Sequence, residues 1–333
     1  MRVAVTGCAG FIGSHVAYAA SASGWEVVCI DNMSRSGWYP RLLLRYAGLR
    51  VAEVDVRDSS ALTRLLEGVD VVVHAAALVS VWESMERPSL YASNNVAGTA
   101  AVLEAVRDAG VEALVYTSSA AVYGEPAQLP VGEEHPVRPI SPYGLFKACE
   151  EELIRIMSSH YGYRYAVLRL FNVYGPGQNP GYAGVVEKFA EAFTRGGVVT
   201  IYGDGGQTRD FVHVYDVARA VLLAARALLD GLVDGCTVNI ASGRGVSVRT
   251  LYGVFSELTG RSPPVVYAAP RPGDIYRSVA SLERARRLLG YTPRIGLREG
   301  LRTVILYHEN PVLLLTRYPP RSSPCRLGPS SVL

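Results

Sequence analysis

The chain lacks several features that would assign it to a familiar class of protein. No apolar run approaches the roughly 20 residues that are needed to cross a bilayer. The first residues lead straight into the apolar run Arg2–Thr6, without the layout of a signal peptide. The net charge is only +3, and no dense run of lysine and arginine is present, which argues against nucleic-acid binding. We therefore expect a soluble, cytoplasmic protein without nucleic-acid or membrane partners.

Cysteine and histidine are sparse and scattered along the chain. None of the five cysteines forms a CxxC pair, and their spacing predicts neither a disulfide framework nor a zinc site. The six histidines are equally dispersed, so we expect no metal centre. Reduced thiols are expected at all five cysteine positions, which are Cys8, Cys29, Cys149, Cys236 and Cys325.

The first half of the sequence alternates between short apolar runs and helical stretches. The composition, 49% hydrophobic and 19% charged, is typical of a protein that buries a sizeable core. The apolar runs show no polar alternation, which is typical of parallel strands covered on both faces. Predicted strands are Arg2–Thr6, Glu26–Ile30, Arg50–Val54, Val69–His74, Glu112–Ser118 and Tyr165–Leu170, and predicted helices are Phe11–Ser23, Ala61–Leu66, Pro88–Ala109 and Tyr143–His160. This order predicts an α/β fold with a Rossmann-type doubly wound parallel sheet.

After Leu170 the pattern becomes richer in glycine and proline and predicts a smaller α/β lobe. Helices are predicted there at Val185–Arg195, His213–Leu229, Ser247–Thr259, Leu282–Leu289 and Leu297–Tyr307. We expect a Rossmann domain at 1–170, with the return of 211–236 to it, and a substrate-binding lobe at 171–310. Residues 311–333 are rich in proline and serine and are expected to form an irregular tail.

A glycine-rich turn follows the first predicted strand and opens a helix. Gly7, Gly10 and Gly13 permit a tight turn, close approach of the backbone to a pyrophosphate, and close helix packing. The free N–H groups of the helix N-terminus then face the phosphates. Asp31, at the end of the next strand, is placed to accept hydrogen bonds from ribose hydroxyls, which favours NAD. A turn cap remains the alternative for Asp31, and the nearby Arg35 leaves NADP disfavoured but open.

Two further segments predict acid–base chemistry. Tyr143 and Lys147 lie four residues apart at the start of a predicted helix, so their side chains share one face. A free phenol is a poor base at neutral pH, but a neighbouring ammonium favours the phenolate. The only lysines in the chain are Lys147 and Lys188, which strengthens this interpretation. Ser119 follows a predicted strand. There its hydroxyl can form a hydrogen bond with a substrate hydroxyl, or the residue can simply belong to an ordinary turn.

These motifs together resemble the extended short-chain dehydrogenase/reductase family, and within it the NAD-dependent nucleotide-sugar epimerases and dehydratases. The resemblance covers roughly residues 1–307. Besides the glycine turn and the Tyr143/Lys147 pair, it includes the segments at 74–77, 94–96, 171–175, 209–216 and 271–274, which read HAAA, NNV, FNVYG, RDFVHVYD and RPGD. Within this family the motif set is similar to that of the UDP-glucose 4-epimerases.

The resemblance implies a set of site residues. The catalytic group comprises Ser119, Tyr143 and Lys147. The NAD site is expected to comprise Gly7, Gly10, Phe11, Ile12, Gly13, Asp31, Asn32, Asp55, Val56, Ala75, Ala76, Ala77, Asn94, Thr117, Tyr143 and Lys147, although Asp55–Val56 has a simple strand-end cap as its alternative. The nucleotide-sugar site is expected to comprise Ser119, Tyr143, Asn172, Arg209, Arg271, Asp274 and Ser278, because arginine forks match diphosphate oxygens and a carboxylate matches ribose hydroxyls.

The activity implied is the reversible 4-epimerisation of UDP-galactose and UDP-glucose through a transient 4-keto sugar and bound NADH. Similar dehydratases carry an acid in the stretch that is Ala120-Ala121 here, which favours an epimerase. The small Ser278 predicts that N-acetylated UDP-sugars are also accepted, whereas the loop after the fourth strand, 77–80, departs from known galactose epimerases. Alternatives are an epimerase of UDP-N-acetylhexosamine or UDP-glucuronate, a nucleotide-sugar reductase, and a non-catalytic nucleotide sensor. A homodimer is expected through helices Pro88–Ala109 and Tyr143–His160.

Overall fold

The computed structural model describes residues 1–179, 181, 184–270 and 275–317. The strands are β1 (Arg2–Thr6), β2 (Glu26–Asp31), β3 (Val51–Glu53), β4 (Val71–His74), β5 (Ala113–Ser119), β6 (Arg164–Leu170), β7 (Asn172–Tyr174), β8 (Val199–Tyr202), β9 (Thr208–His213), β10 (Cys236–Ile240), β11 (Gly245–Ser247) and β12 (Val265–Ala268). The helices are α1 (Phe11–Ala22), α2 (Trp38–Tyr46), α3 (Ser59–Leu66), α4 (Val81–Glu86), α5 (Pro88–Tyr91), α6 (Gly98–Asp108), α7 (Pro142–Tyr161), α8 (Val185–Arg195), α9 (Val214–Leu229), α10 (Val248–Thr259), α11 (Glu283–Leu289), α12 (Leu297–Glu309) and α13 (Pro311–Arg317).

A seven-stranded parallel sheet forms the centre of the molecule, in the order β10-β6-β5-β4-β1-β2-β3. The chain moves outward in one direction from β1 to β3 and in the other from β4 to β6. The strand order therefore reverses between β1 and β4, and ligands of such sheets bind outside the carboxyl ends of the strands at this point. The predicted α/β Rossmann-type fold is confirmed.

Helices cover both faces of this sheet, which explains why its strands are apolar throughout. Val3 and Val5 of β1 face a core that contains Val217 and Val221 of α9. On the other face, α3, α6 and α7 pack on the sheet in a second core. Helix α9 thus returns to the first domain, and β10 extends the large sheet beyond the segment 211–236 that was predicted to return.

The second lobe contains two small sheets, in the orders β11-β9-β7 and β12-β8. Helices α8, α10 and α12 pack together beside them around Phe189, Phe193 and Phe255. Strand β7 follows β6 after a single residue, so this lobe begins at the carboxyl edge of the large sheet. The nucleotide-sugar residues predicted on β7 and β9 are thereby brought to the switch point.

Two of the predicted elements need correction. The helix predicted over Pro88–Ala109 is interrupted by a π-helical turn at Ala92–Ala97, within which Asn95 is buried. The tail predicted from residue 311 begins with helix α13, because Leu314 and Leu315 find an apolar site beside Tyr39 and Leu43. Residues 318–333 lie outside the described part of the chain.

The expectation of reduced cysteines is wrong for one pair, since Cys8 and Cys29 form a disulfide with their Cα atoms 5.3 Å apart. Cys8 follows β1 and Cys29 lies on the neighbouring β2, so strand pairing brings together residues that are distant in sequence. Cys149 and Cys236 are free thiols, and Cys325 lies outside the described residues. None of the described helices combines the length and apolarity that a membrane span requires.

Candidate active site

The glycine-rich turn between β1 and α1 forms the floor of a groove at the switch point. Gly7 has φ +68°, and a Cβ atom there would lie 2.7 Å from the backbone nitrogen of Ala76. A Cβ at Gly13 would overlap the carbonyl oxygen of Gly7, so α1 approaches the turn only because residue 13 is glycine. Gly10, the N-cap of α1, offers no side chain to its N–H groups. This surface fits a dinucleotide phosphate, which would take those N–H donors.

Asp31 lies beside this turn at the end of β2. Its Oδ2 accepts a hydrogen bond from the backbone N–H of Ala9 at 2.9 Å, and its Oδ1 accepts one from Met33 at 2.7 Å. Burial raises the pKa of the Asp31 carboxyl, while these two N–H groups oppose the rise. Asp31 therefore braces the glycine-rich turn, and its carboxylate lines the groove, where it would meet the ribose hydroxyls of a bound dinucleotide.

Most of the predicted cofactor residues line this one groove. Those that do so are Gly7, Gly10, Asp31, Asn32, Val56, Ala75, Ala76, Ala77 and Asn94. The other seven are absent from its lining: Phe11, Ile12, Thr117, Tyr143 and Lys147 line an adjoining cavity, whereas Gly13 and Asp55 line neither. Gly13 serves helix packing, and Asp55 accepts hydrogen bonds from Arg57 at 2.8 Å and from the Asn32 amide at 2.9 Å. Arg57 lowers the pKa of Asp55, whose carboxylate thus orients Asn32 at the groove.

The rim of the groove carries an ion pair that sequence reasoning missed. Arg35 Nη2 donates to Glu83 Oε1 at 2.9 Å, which connects the segment after β2 with helix α4. The Tyr91 hydroxyl donates to the other oxygen of Glu83 at 3.1 Å. Because Arg35 and Glu83 are 48 positions apart, no local pattern in the sequence indicates this contact.

A larger cavity of about 460 Å³ adjoins the groove, and Ala75 and Ala77 line both. The predicted residues that line this cavity are Phe11, Ile12, Thr117, Ser119, Tyr143, Lys147, Asn172, Arg209 and Ser278. The structure therefore brings residues from β5, α7, β7 and β9 together at the carboxyl edge of the sheet. Arg271 and Asp274, also predicted here, lie outside the described residues.

Local capping places Tyr143 at the start of α7. The Ser141 hydroxyl accepts a hydrogen bond from Gly144 N at 3.1 Å, and Pro142 occupies the first helical turn. The backbone N–H of Tyr143 donates to Ser84 Oγ at 3.2 Å. Its ring is 8% exposed and packs with Leu78 and Tyr91, so little freedom remains to the phenol.

Lys147 lies one turn further along α7 and is 2% exposed. Its Nζ donates to the Tyr116 hydroxyl at 2.9 Å and to the Thr117 carbonyl at 3.2 Å. Ser119, at the end of β5, has a hydroxyl that accepts a hydrogen bond from Ala121 N at 3.1 Å, which leaves its proton available to a ligand. These three predicted catalytic side chains share one cavity wall.

Asn95 is a second contact that the sequence analysis did not assign, although it lies in the NNV motif. Its buried amide accepts a hydrogen bond from Leu78 N at 2.9 Å and donates one to Leu78 O at 3.0 Å. The π-helical turn turns this side chain inward, toward the loop after β4. Asn95 therefore holds the loop that separates the groove from the cavity.

The geometry agrees with a comparison against family models. Residues 3–241 match the model of the NAD dependent epimerase/dehydratase family. The chain belongs to this family. Its cofactor is accordingly NAD, which the groove beside Asp31 fits.

Relatives within the family extend the likeness over nearly the whole chain. A putative UDP-glucose 4-epimerase of Methanocaldococcus jannaschii is 37% identical over 313 residues, covering 92% of this chain and 98% of the relative. The structure of the Thermotoga maritima UDP-glucose 4-epimerase with UDP-glucose matches with a TM-score of 0.87 at 37% identity, covering 93% of this chain and 99% of that one. A UDP-N-acetylglucosamine 4-epimerase of Methanobrevibacter ruminantium, in complex with UDP-N-acetylmuramic acid, matches with a TM-score of 0.86 at 33% identity, covering 92% and 98%.

Proposed function

We propose that the chain catalyses the reversible 4-epimerisation of UDP-galactose and UDP-glucose with NAD as its bound cofactor. One observation supports this most directly. Ser119, Tyr143 and Lys147 line the same cavity as Asn172 and Arg209, and that cavity adjoins the cofactor groove. A nucleotide held by the second group therefore places its sugar against the first.

The role of each residue in the reaction follows from this arrangement. Tyr143, as the phenolate favoured by Lys147, accepts the proton of the C4 hydroxyl, and Ser119 bonds the same hydroxyl. NAD supplies the acceptor and later the donor of the C4 hydride. The 4-keto sugar then turns about its link to the diphosphate and presents its other face. When the hydride is returned to C4 from the opposite face, Tyr143 returns the proton to the same C4 oxygen, so no external acid is required.

Ala120 and Ala121 favour an epimerase over a dehydratase. Both line the sugar-side cavity immediately after Ser119. A dehydratase needs an acid next to the 4-keto group, and neither methyl side chain can transfer a proton. This part of the cavity therefore supports only the exchange of a proton and a hydride at one carbon of the sugar.

An N-acetylated UDP-sugar is a second candidate substrate, because Ser278 lines the cavity with a small side chain. The similarity to the Methanobrevibacter UDP-N-acetylglucosamine 4-epimerase supports the same candidate. UDP-glucuronate is less favoured. Among the described cavity residues the cations are Lys147 and Arg209, which the proposal assigns to catalysis and to the diphosphate.

The proposal includes a homodimer through the exposed face of α7. Leu145 and Ile156 are 49% and 48% exposed there, with Cys149 between them on the same face. A second copy of the chain would cover this stripe. Sedimentation analysis of Ile156→Glu is expected to show monomers and that of Leu232→Glu, at another exposed site, dimers. A monomeric wild type at micromolar concentration would refute this part.

Proton NMR of the purified protein with UDP-galactose, without added cofactor, tests the proposed reaction. Appearance of UDP-glucose up to a fixed equilibrium ratio is expected. If turnover requires added NAD, the reaction stands and tight retention of NAD fails. If UDP-N-acetylhexosamine or UDP-glucuronate reacts instead, the galactose assignment is wrong. Stoichiometric consumption of added NADH would indicate a reductase, and failure with all these sugars would favour a nucleotide sensor.

A further inference from the structure

A buried carboxylate lies behind the proposed catalytic pair. Glu150 is 0% exposed and follows Lys147 by three residues, so both side chains lie on one face of α7. Its Oε2 accepts hydrogen bonds from the Tyr116 hydroxyl and from Thr99 Oγ1, the latter at 3.1 Å, and lies 3.4 Å from Lys147 Nζ. Its Oε1 has no hydrogen-bond partner among the described residues. Such a carboxylate is costly to bury unless a cation accompanies it.

Lys147 also has only neutral hydrogen-bond partners among the described residues, apart from Glu150. The Tyr116 hydroxyl and the Thr117 carbonyl, which accept its other hydrogen bonds, are neutral. Burial by itself favours the uncharged amine of a lysine. Among the described residues, Glu150 is the carboxylate that forms an ion pair with Lys147.

The neighbouring Glu151 does not substitute for Glu150. Its carboxylate forms a salt bridge with Arg169, with Oε2 2.6 Å from Nη2, and accepts a hydrogen bond from Ser118 Oγ at 2.5 Å. Glu151 thus has its own cation on β6. The two adjacent carboxylates have separate partners, and only that of Glu150 meets Lys147.

A chain of hydrogen bonds through Thr99 also holds the Glu150 carboxylate. The Thr99 hydroxyl donates to Glu150, so it accepts from Nε2 of His74, 2.9 Å away. His74 Nδ1 then accepts from the Thr6 hydroxyl at 2.7 Å. Burial and the charge of Lys147 lower the pKa of His74 to about 3, so this imidazole is neutral at pH 7. Every donor in the chain therefore points toward the Glu150 carboxylate.

We propose that Glu150 is a positioning residue whose buried carboxylate keeps Lys147 charged and holds its ammonium in the cavity wall shared with Tyr143. This inference rests on the proposed function, because the charge of Lys147 favours the phenolate that accepts the substrate proton. Removal of the carboxylate leaves Nζ buried among neutral acceptors, and the amine then loses its proton more readily. Tyr143 loses its activating charge while the sugar and nucleotide contacts remain.

The lysine content of the chain permits a direct test. Lys147 and Lys188 are its only lysines, so protein labelled with ¹³Cε-lysine gives two resolvable signals, which Lys188→Arg assigns. At mildly alkaline pH the Lys147 signal of the wild type is expected at the chemical shift of an ammonium. In Glu150→Gln it is expected to move toward that of the neutral amine. Glu152→Gln, an exposed carboxylate on the same helix, is the matched control and leaves the signal in place.

Kinetics with UDP-galactose complete the test. We expect kcat of Glu150→Gln to fall by about 10- to 100-fold, the range for loss of a hydrogen bond to a charged group, with KM changed less than about threefold. Glu150→Asp, which keeps the charge, should recover part of the rate. NAD content and melting temperature identify folded variants. If Glu150→Gln fails to fold, Glu150→Asp is compared with the wild type: its shorter side chain withdraws the carboxylate from Nζ, so the Lys147 signal should move part of the way toward that of the neutral amine. An unchanged Lys147 signal and unchanged kcat in a folded variant would overturn the proposal. If the wild type turns over no UDP-sugar, the proposed function fails, and the lysine signal still decides the role of Glu150.

Discussion

Arg35 and Glu83 form an ion pair across the rim of the cofactor groove, with Nη2 and Oε1 2.9 Å apart. The carboxylate of Glu83 partly neutralises a guanidinium that lines the cofactor groove, which would reinforce the preference for NAD that we attribute to Asp31. We expect Glu83→Gln to improve the affinity for NADP relative to NAD by roughly two- to fivefold, as befits a partly exposed pair. Titration of cofactor-free protein measures this ratio, with Glu86→Gln on the same helix as the control. An unchanged ratio would show that Arg35 does not face the phosphate.

Asp31 makes the binding of NAD dependent on pH. Burial raises the pKa of this carboxyl, so it takes up a proton at a higher pH than an ordinary aspartate does. The ionised carboxylate accepts hydrogen bonds from the ribose hydroxyls more strongly than the protonated acid does. The dissociation constant for NAD should therefore rise as the pH falls through this raised pKa, and equilibrium dialysis between pH 7 and pH 4 measures it. Asp31→Asn should bind NAD more weakly throughout and lose most of this dependence.

Tyr143 and Ser119 should contribute unequally to the rate. Tyr143→Phe removes the proton acceptor and is expected to lower kcat by about 100-fold or more, with little effect on KM. Ser119→Ala removes one hydrogen bond to the same hydroxyl, and we expect a loss of roughly tenfold. Steady-state kinetics with UDP-galactose separate the two effects. A Tyr143→Phe variant with more than a tenth of the wild-type rate would exclude Tyr143 as the base.

Ser278 should control the acceptance of a substituent at C2 of the sugar. Its side chain is 8% exposed and lines the cavity, while its backbone N–H donates to Thr208 O at 3.2 Å. That hydrogen bond fixes the position of the residue, so a larger side chain must extend into the cavity. We expect Ser278→Tyr to lower kcat/KM for UDP-N-acetylglucosamine by at least about tenfold relative to UDP-galactose, because the ring takes the space of the acetamide. Equal loss for both sugars would place the C2 substituent elsewhere.

Buried histidines should make the fold sensitive to acid. Burial lowers the pKa of His15 to about 4 and that of His213 to about 3, from 6.5 in each case. The unfolded chain therefore binds protons that the folded chain does not, so stability is complete above about pH 6.5 and falls as the pH drops below it. Removing one such site with His213→Gln should flatten the slope by up to about 1.4 kcal/mol per pH unit. Denaturant unfolding at pH 7 and pH 5 measures this, with the exposed His160→Gln as the control.

The sequence predicted the elements of the large sheet because burial on both faces leaves a strong signal. The run at Val71–His74 and its counterparts are apolar throughout, and the glycine turn after β1 marks the switch point. Helices α2 and α4 were missed: α4 is short, and the apolar face of α2, which buries Leu43 and Leu44, was overlooked. The strands of the second lobe are also short, and their pairing depends on contacts between distant segments.

The candidate site was predictable where a motif fixes a local geometry. Tyr143 and Lys147 share a helix face because of their spacing alone, and the structure places both in one cavity. The contacts of Asn95 and Glu150 were not predictable in this way. Their roles arise from burial against β4 and β5, and an asparagine or glutamate on a helix is more often exposed to solvent.

Strand β9 passes without a break into helix α9, since Thr208–His213 is followed directly by Val214–Leu229. The first of these segments carries Arg209, and the second is packed under the large sheet. Arg209, the residue proposed to bind the diphosphate, is therefore connected without an intervening loop to a helix that packs against the sheet carrying the cofactor groove. Because no loop separates Arg209 from this helix, we expect the diphosphate anchor to stay in place during turnover, and the 4-keto sugar to invert by rotating about its link to the diphosphate.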